Sequence, residues 1–393
     1  LTWREGRLSV QRYWTPAPRP IAASSKRPGA NSREFRELFD EAVRLRFRSD
    51  VPVGLFLSGG LDSSMVAVSA VEQGFRPQAF TVAFDAEDID FPFAEKVARH
   101  LHLEHHLIRV TASGAIEDTS RLFHHYDEPF ADSSSIPSFQ IARATQGHVK
   151  VVLNGDAGDE AFAGYGYYKA AAFTFRKRQF ASVLGLRDSN PCDPFEVVAA
   201  GRLAFPQRER RRLLNGVNPD DGLKAFLRTD SYLSEARKIR LSALRRFMWF
   251  DRHVYLPNDL MYKMDIALSA FGIEGRSPFM DHRLMDWAQG LPHGHLVYHG
   301  KTKIMLKAAL EGRLPRDIVQ RQKKGFGSPM RRWLQGELAA PMRDALSSGF
   351  FSRLCDRGLP LALANRALAR DHALPAWTLF AFELWAQHWK PSL

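Results

Sequence analysis

The sequence predicts an α/β protein, a doubly wound parallel sheet followed by a large helical C-terminal elaboration. Three observations carry this. Short apolar, β-rich runs alternate with helix-patterned segments between residues 31 and 170. Those runs are apolar at successive positions, as strands covered on both faces must be. Two of them end abruptly in glycine-rich, acidic loops, SGGLDSS at 58–64 and GDAGDEAFAGY at 155–165, and open parallel sheets bind ligands beyond the carboxyl ends of their strands.

The elements follow in order. EFRELFDEAVRLRFRS (34–49) spaces its apolar residues as a helix does. VPVGLFL (51–57) is a continuous apolar strand, and SSMVAVSAVEQG (63–74) a short helix closed by Gly74. AFTVAF (79–84) is the second strand, FAEKVARHLH (93–102) a helix, and HHLIRV (105–110) the third strand. Helical patterning covers 113–125 and IPSFQIARAT (136–145), and VKVVLN (149–154) is the fourth strand. Beyond residue 165 strand signals fade and the remainder reads as mainly helical. Its basic run RERRRLL (208–214) reads as a solvated helix face, and the aromatic-rich PAWTLFAFELWAQHW (375–389) as a core helix.

The chain of 393 residues carries a formal charge of +12. That balance suits either a nucleic-acid partner or a site for polyanionic small molecules. RERRRLL lacks interleaved aromatics and no nucleic-acid module is recognisable, so neither nucleic acid nor a membrane is expected as a partner. No apolar stretch approaches the about 20 residues that span a bilayer. The two cysteines, Cys192 and Cys355, are far apart and fit a reducing, cytoplasmic setting. The opening LTWREGRLSVQRYWTPAPRP reads as the tail of a preceding domain, so residues 1–30 are expected to be a linker and 31–393 the functional unit. Within that unit, 31–170 would hold the sheet core and 171–393 a mainly helical part completing the site.

Ser58, Gly59 and Gly60 have little bulk, so their backbone N–H groups can close on an anion, aided by the N-terminus of the helix that follows. Hydroxyls of Ser58, Ser63 and Ser64 add donors. This phosphate cradle is not of the Walker type, because the chain has no G-x-x-x-x-G-K-S/T. A carboxylate such as Asp62 repels phosphates unless a divalent cation lies between, so the loop implies Mg2+ as well; as a plain turn it would instead be a helix cap. In the second loop Asp156, Asp159 and Glu160 suit a cation, and Asp159 can complete the site begun by Asp62. The pairs His105–His106 and His124–His125 lack any accompanying metal motif and read as strand-end and loop residues.

SGGLDSS resembles the pyrophosphate loop of the ATP pyrophosphatase superfamily, whose adenine-nucleotide alpha hydrolase-like sheet is the fold this implies. Three further stretches narrow the resemblance to the synthetase domain of the asparagine synthetase family: GDAGDEAFAGY, the segment DLMYKMDIALSAFGIEGRSPFMDHRL (259–284) and LPRDIVQRQKKGFGSPMRRWL (314–334). REGRLSVQRYW resembles the linker after that family's glutaminase domain, which implies such a domain upstream or in trans. The resemblance implies ATP and Mg2+ as cofactors and a small-molecule carboxylate, most simply aspartate, as substrate. The carboxylate would be adenylated with loss of pyrophosphate and then amidated by ammonia drawn from glutamine. A homodimer is compatible with it.

By the same resemblance Ser58, Gly59, Gly60 and Ser63 would hold the β- and γ-phosphates, and Asp62 and Asp159 the Mg2+. Leu57, Val82, Asn154 and Gly155 would border adenine and ribose; the family often has Ser-Gly where this chain has Asn154-Gly155. Lys323 matches the lysine that stabilises charge on the adenylate, with Lys324 its rival under a one-residue slip. Asp156 falls in the acidic slot beside the acyl group, where asparagine synthetases tend to carry Glu and the related β-lactam synthetase a Tyr working with a Glu. Glu274 matches that partner Glu, or else forms a structural salt bridge with Arg276; Lys303 could touch phosphate. Relatives that amidate a sugar acid or cyclise a peptide or β-lactam, and a basic RNA-modifying protein with the same loop, are the alternatives.

Overall fold

The computed structural model describes residues 1–11, 13–14, 31–84, 91–168, 193–215, 217–218, 220–239, 241–321 and 328–391. Five parallel strands form its central sheet: β1 (Val53–Phe56), β2 (Ala79–Phe84), β3 (His105–Val110), β4 (Val151–Leu153) and β5 (Glu274–Arg276). Their order is β3-β2-β1-β4-β5. The chain winds outward from β1 through β2 to β3, then crosses back to lay β4 on the other side of β1. The crevice between β1 and β4 is therefore the topological switch point, where a doubly wound sheet leaves room for a ligand.

Successive strand residues feed two different cores, which is why the strands read as unbroken apolar runs. Leu55, Leu57 and Leu153 pack on one face with α1 (Ser32–Arg46), α2 (Leu61–Glu72) and α3 (Phe91–His100). Phe56, Phe80, Val82 and Val152 pack on the other with α4 (Ala112–Tyr126) and α5 (Ser135–Thr145). Each such side chain, fully buried, contributes about 1.5–3 kcal/mol. The second core extends to the C-terminal helix Ala373–Trp389, whose Trp377 is fully buried, as expected of its aromatic run.

Strands β2 and β3 begin and end where the sequence places them, and β1 and β4 lie inside their expected runs. The fifth strand corrects the expectation that strands stop near residue 165. Its sequence, EGR, has no apolar run, and it is held by backbone pairing of Glu274, Gly275 and Arg276 with Val151, Val152 and Leu153. A Cβ on Gly275 would lie 2.6 Å from Leu268 Cδ1 of the overlying helix, so a larger residue there would push that side chain aside. The sheet core thus draws a strand from the part expected to be mainly helical. Within residues 1–9, Thr2–Arg4 and Arg7–Ser9 pair as a short, exposed antiparallel hairpin.

The RERRRLL run forms an exposed helix, Gln207–Leu213, with only Leu213 buried. Helix Ala243–Phe250 continues through a π-helical segment, Asp251–Met261, into α7 (Tyr262–Ser269). Among the described residues no helix is long and apolar enough to cross a membrane.

Candidate active site

The loop after β1 is built as a cradle. Leu57 is anchored through its carbonyl, which accepts from Thr81 Oγ1 of β2. Ser58 N donates to Ser63 Oγ at 3.1 Å, and the two hydroxyls lie 3.0 Å apart, curling the loop over the start of α2. Gly59 has φ +67°, and a Cβ on it would lie 2.7 Å from the Phe93 carbonyl carbon, so only glycine fits. Helix α2 begins after Gly60 with no side-chain cap, which leaves its first-turn N–H groups for an anion. Asp62 sits inside this first turn and is not the cap.

The second loop delivers its acids to the same place. β4 ends at Leu153, and the short helix α6 (Gly158–Phe162) carries Asp159 and Glu160. A Cβ on Gly155 would lie 2.9 Å from Asp62 Cβ, one on Gly158 would overlap the Asp62 carboxylate, and one on Gly164 the Asp159 carboxylate. The glycines therefore let the two loops interlock.

Between the carboxylates lies Lys303, its side chain buried, paired with Asp62 and 2.5 Å from Asp159 Oδ1. Lys303, Ala157 and Ala163 all adopt left-handed backbone conformations, with φ of +53°, +68° and +55°. Such strain in non-glycine residues is typical of functional sites.

The cradle and the acids border one cavity of about 370 Å³. Of the residues expected to bind nucleotide, Leu57, Ser58, Gly60, Asp62, Ser63, Val82, Asn154 and Gly155 line it, as do Asp156 and Asp159. Phe56, Phe80, Phe84 and Ile141 give it an apolar side that suits a flat base. Asp156 is held by Asn154 Nδ2, which donates to Asp156 Oδ2 at 2.7 Å, while Ser277 Oγ donates to the Asp156 carbonyl at 2.6 Å. Asn154, the departure from Ser-Gly, is thus the group that orients Asp156.

Glu274 does not reach this site. It begins β5, at the amino end of the sheet and away from the cavity, and its side chain is 60% exposed. Arg276 Nε donates to Glu274 Oε1 at 2.7 Å, and that hydrogen bond lowers the glutamate's pKa. Of the two readings of Glu274 the structure shows the salt bridge with Arg276, since the first residue of a parallel strand sits at the amino end while ligands bind beyond the carboxyl end. Lys323 and Lys324 lie outside the described residues.

Glu160, one of the acids noted in the second loop, is almost wholly buried, accepts from Tyr165 Oη, and burial pushes its pKa up to about 7. Sequence reasoning missed other lining residues. Lys263 and Asp132 meet across the cavity wall, Nζ to Oδ2 at 2.9 Å. Burial opposes both charges, but each outweighs that penalty for the other, lowering the pKa of Asp132 and raising that of Lys263. Arg321 reaches Gly59 O at 3.2 Å and stacks 4.0 Å over Phe93. These residues come from distant segments, and the one local signal was the DLMYK stretch before Lys263.

The site fits Mg2+. Asp62 Oδ1 is buried without a hydrogen-bond partner and lies against Gly158, and Lys303 links its carboxylate to that of Asp159. Hard oxygen donors suit this ion, and it commonly takes one or two carboxylates with phosphate oxygens and waters. No group of three or more His, Cys, Asp or Glu that could hold a metal occurs among the described residues.

Comparison with known proteins agrees with this architecture. A family model described as asparagine synthase matches residues 34–387. Asparagine synthetase (glutamine-hydrolyzing) 1 of Bacillus subtilis (strain 168) is 28% identical over 376 residues, covering 90% of this chain and 58% of the relative. A putative asparagine synthetase (glutamine-hydrolyzing) of Mycobacterium bovis is 28% identical over 405 residues, covering 96% and 60%. Amidase chry2 of Gibberella zeae is 24% identical over 357 residues, covering 77% and 53%. The chain thus spans 58–60% of the length of the first two relatives. A sheet whose switch point carries both interlocked loops, matched by a family model from residue 34 to residue 387, makes the chain a member of the asparagine synthase family.

Proposed function

We propose that this chain catalyses ATP-dependent amide formation on a small carboxylic acid, in the simplest case L-aspartate, giving asparagine, AMP and pyrophosphate. The observation that supports it most is the meeting of Asp62, Asp159 and Lys303 beside the uncapped start of α2, at the mouth of a cavity with an apolar side. The adenine lies between Leu57 and Val82, and the phosphates run along Ser58–Ser63.

A carboxylate oxygen of the acid attacks the α-phosphorus, and the bond to the bridging oxygen breaks, so pyrophosphate leaves with that electron pair. An anion attacking a polyanion needs fixed positive charge and alignment. Lys303, the N–H groups of α2 and, by resemblance, Lys323 supply the charge. Asp62 and Asp159 would hold Mg2+, which when bound neutralises the phosphate oxygens. Ammonia then attacks the acyl carbon, AMP leaves with the C–O electrons, and Asp156 takes a proton from nitrogen. Ammonia arises from glutamine in a glutaminase domain upstream or in trans.

Exchange of labelled pyrophosphate into ATP, screened across carboxylic acids, tests the reading. Acid-dependent exchange that Asp62→Asn abolishes is expected. Normal exchange in that variant removes the Mg2+ assignment, and none with any acid removes adenylation. Near-normal amide formation by Lys323→Ala moves that role to Lys324. A second reading, amidation or cyclisation of another acid, is favoured by Asp156, whose side chain is one carbon shorter than Glu and is tethered to Asn154. Preference for a sugar acid or peptide acid in the same screen selects it.

A further inference from the structure

His105, by its sequence a strand-end residue, opens β3 and is half-buried. Its Cα pairs with Ala79 of β2, two residues before Thr81. The ring reaches forward along the sheet, so that Nε2 lies 2.7 Å from Thr81 Oγ1. Thr81 is buried in the cavity wall, and its hydroxyl also meets the Leu57 carbonyl at the end of β1.

The direction of these bonds follows from the protons available. A carbonyl only accepts, so the single hydroxyl proton of Thr81 goes to Leu57 O. Thr81 Oγ1 must then accept from His105, whose Nε2 carries the ring proton. Burial lowers the pKa of that ring, which favours its neutral form near pH 7. The three groups thus make a one-way chain from β3 through β2 to the last residue before the cradle.

What the chain holds is the entrance to the cradle. The Leu57 carbonyl and the Ser58 N–H are opposite ends of one rigid peptide plane. Thr81 fixes the first end, and Ser63 Oγ, at 3.1 Å, the second. Later carbonyls are tied down as well: Gly59 O accepts from Arg321 Nη1 at 3.2 Å, and Gly60 O from Ser64 N at 3.0 Å. Gly59 and Gly60 give the loop wide backbone freedom, so contacts from outside it must set its shape. A carbonyl oxygen swung toward a phosphate would repel it where an N–H binds it.

We propose that His105 is a positioning residue for the phosphate cradle. Through Thr81 it locks the Leu57–Ser58 peptide with its carbonyl turned from the bound pyrophosphate group. His105 does not itself line the cavity, so it acts without touching a ligand. This role rests on the reading of SGGLDSS as a pyrophosphate loop and adds the residue that holds the loop in its binding shape.

The test is calorimetric binding of ATP, pyrophosphate and AMP, with Mg2+ present, to the wild type and its variants. His105→Leu removes the donor and should weaken ATP and pyrophosphate by about fivefold or more. AMP lacks the two outer phosphates and should stay within about twofold. His105→Gln presents an amide N–H instead and should restore most of the loss. Thr81→Val should weaken the same two ligands, whereas Thr81→Ser keeps the hydroxyl and should not. Adding His105→Leu to Thr81→Val should cost nothing further, because the histidine acts only through the threonine. His105→Phe keeps a ring beside Phe91 without the donor, and replaces His105→Leu should that variant fail to fold. Unchanged pyrophosphate affinity, an equal loss for AMP, or additive losses in the double variant overturns the proposal. A wild type that binds neither ATP nor pyrophosphate instead removes the phosphate reading of the cradle, and this role with it.

Discussion

Replacing His253 with phenylalanine should remove the acid sensitivity that this residue gives the π-helical segment preceding Lys263. The His253 ring stacks on Trp249 with centroids 4.0 Å apart, and Nδ1 lies 2.8 Å from the Trp249 carbonyl. A carbonyl only accepts, so Nδ1 carries the proton of the neutral ring, and Nε2 is buried without a partner. Burial lowers the pKa from 6.5 to about 4. The unfolded chain therefore takes up a proton at higher pH than the folded one. The stability this group confers is complete above pH 6.5 and is lost as pH falls toward 4.

The loss runs at about 1.4 kcal/mol per pH unit, or about 2 kcal/mol by pH 5. His253→Phe keeps the stack but forfeits one hydrogen bond, a pH-independent cost of about 1 kcal/mol. The variant should thus be the less stable at pH 8 and the more stable at pH 5, with the two curves crossing near pH 6 by these magnitudes. Urea denaturation followed by circular dichroism at half-unit pH steps reads the difference. Carboxylate titrations are common to both proteins and cancel. Parallel curves would refute the claim that His253 is buried in its neutral form.

Lys303→Met leaves the Asp62 and Asp159 carboxylates facing each other without the buried ammonium, and breaking such a cluster costs about 3–5 kcal/mol. Millimolar Mg2+ should recover part of that in a thermal melt, and a melt indifferent to Mg2+ would show that the two acids do not form a cation site. Gly158→Ala places a Cβ on the Asp62 carboxylate; it should reduce pyrophosphate exchange at least tenfold while far-UV circular dichroism stays unchanged, and wild-type exchange would mean that the loops need not interlock. Glu274→Gln should leave turnover within twofold, because the carboxylate lies at the opposite end of the sheet from the cavity. A large loss of kcat there would return it to catalysis.

Much of this protein is legible from the chain alone, and the reason is locality. Strands β1, β2 and β4 announce themselves because their residues are mostly buried in the two cores and so read as apolar runs, while β3 is legible from its Leu107–Ile108 and Val110. The phosphate cradle is legible because closeness to an anion demands small residues in consecutive positions, and Ser58–Ser63 supply them within one turn of backbone. Asp62, Asp156 and Asp159 stand out because acids are rarely set among glycines without a cation or a proton to manage.

Other features depend on contacts between segments far apart in the chain. β5 has no apolar pattern, because an edge strand three residues long is held by its neighbour's backbone, with Gly275 close against Leu268 of the overlying helix. Glu274 matched a catalytic motif, but it starts a parallel strand and so sits at the amino end of the sheet, where it pairs with Arg276. Lys303 drew little notice in sequence, yet 241 residues after Asp62 it enters the space between both acids. Lys263, Asp132 and Asp259 become a unit only when α7 packs beside the start of α5. The amino-acid order sets which backbone geometries and which chemistries are available. Which charges become neighbours is decided by the packing of the two cores, because a buried ion is tolerable only where its partner is delivered to it.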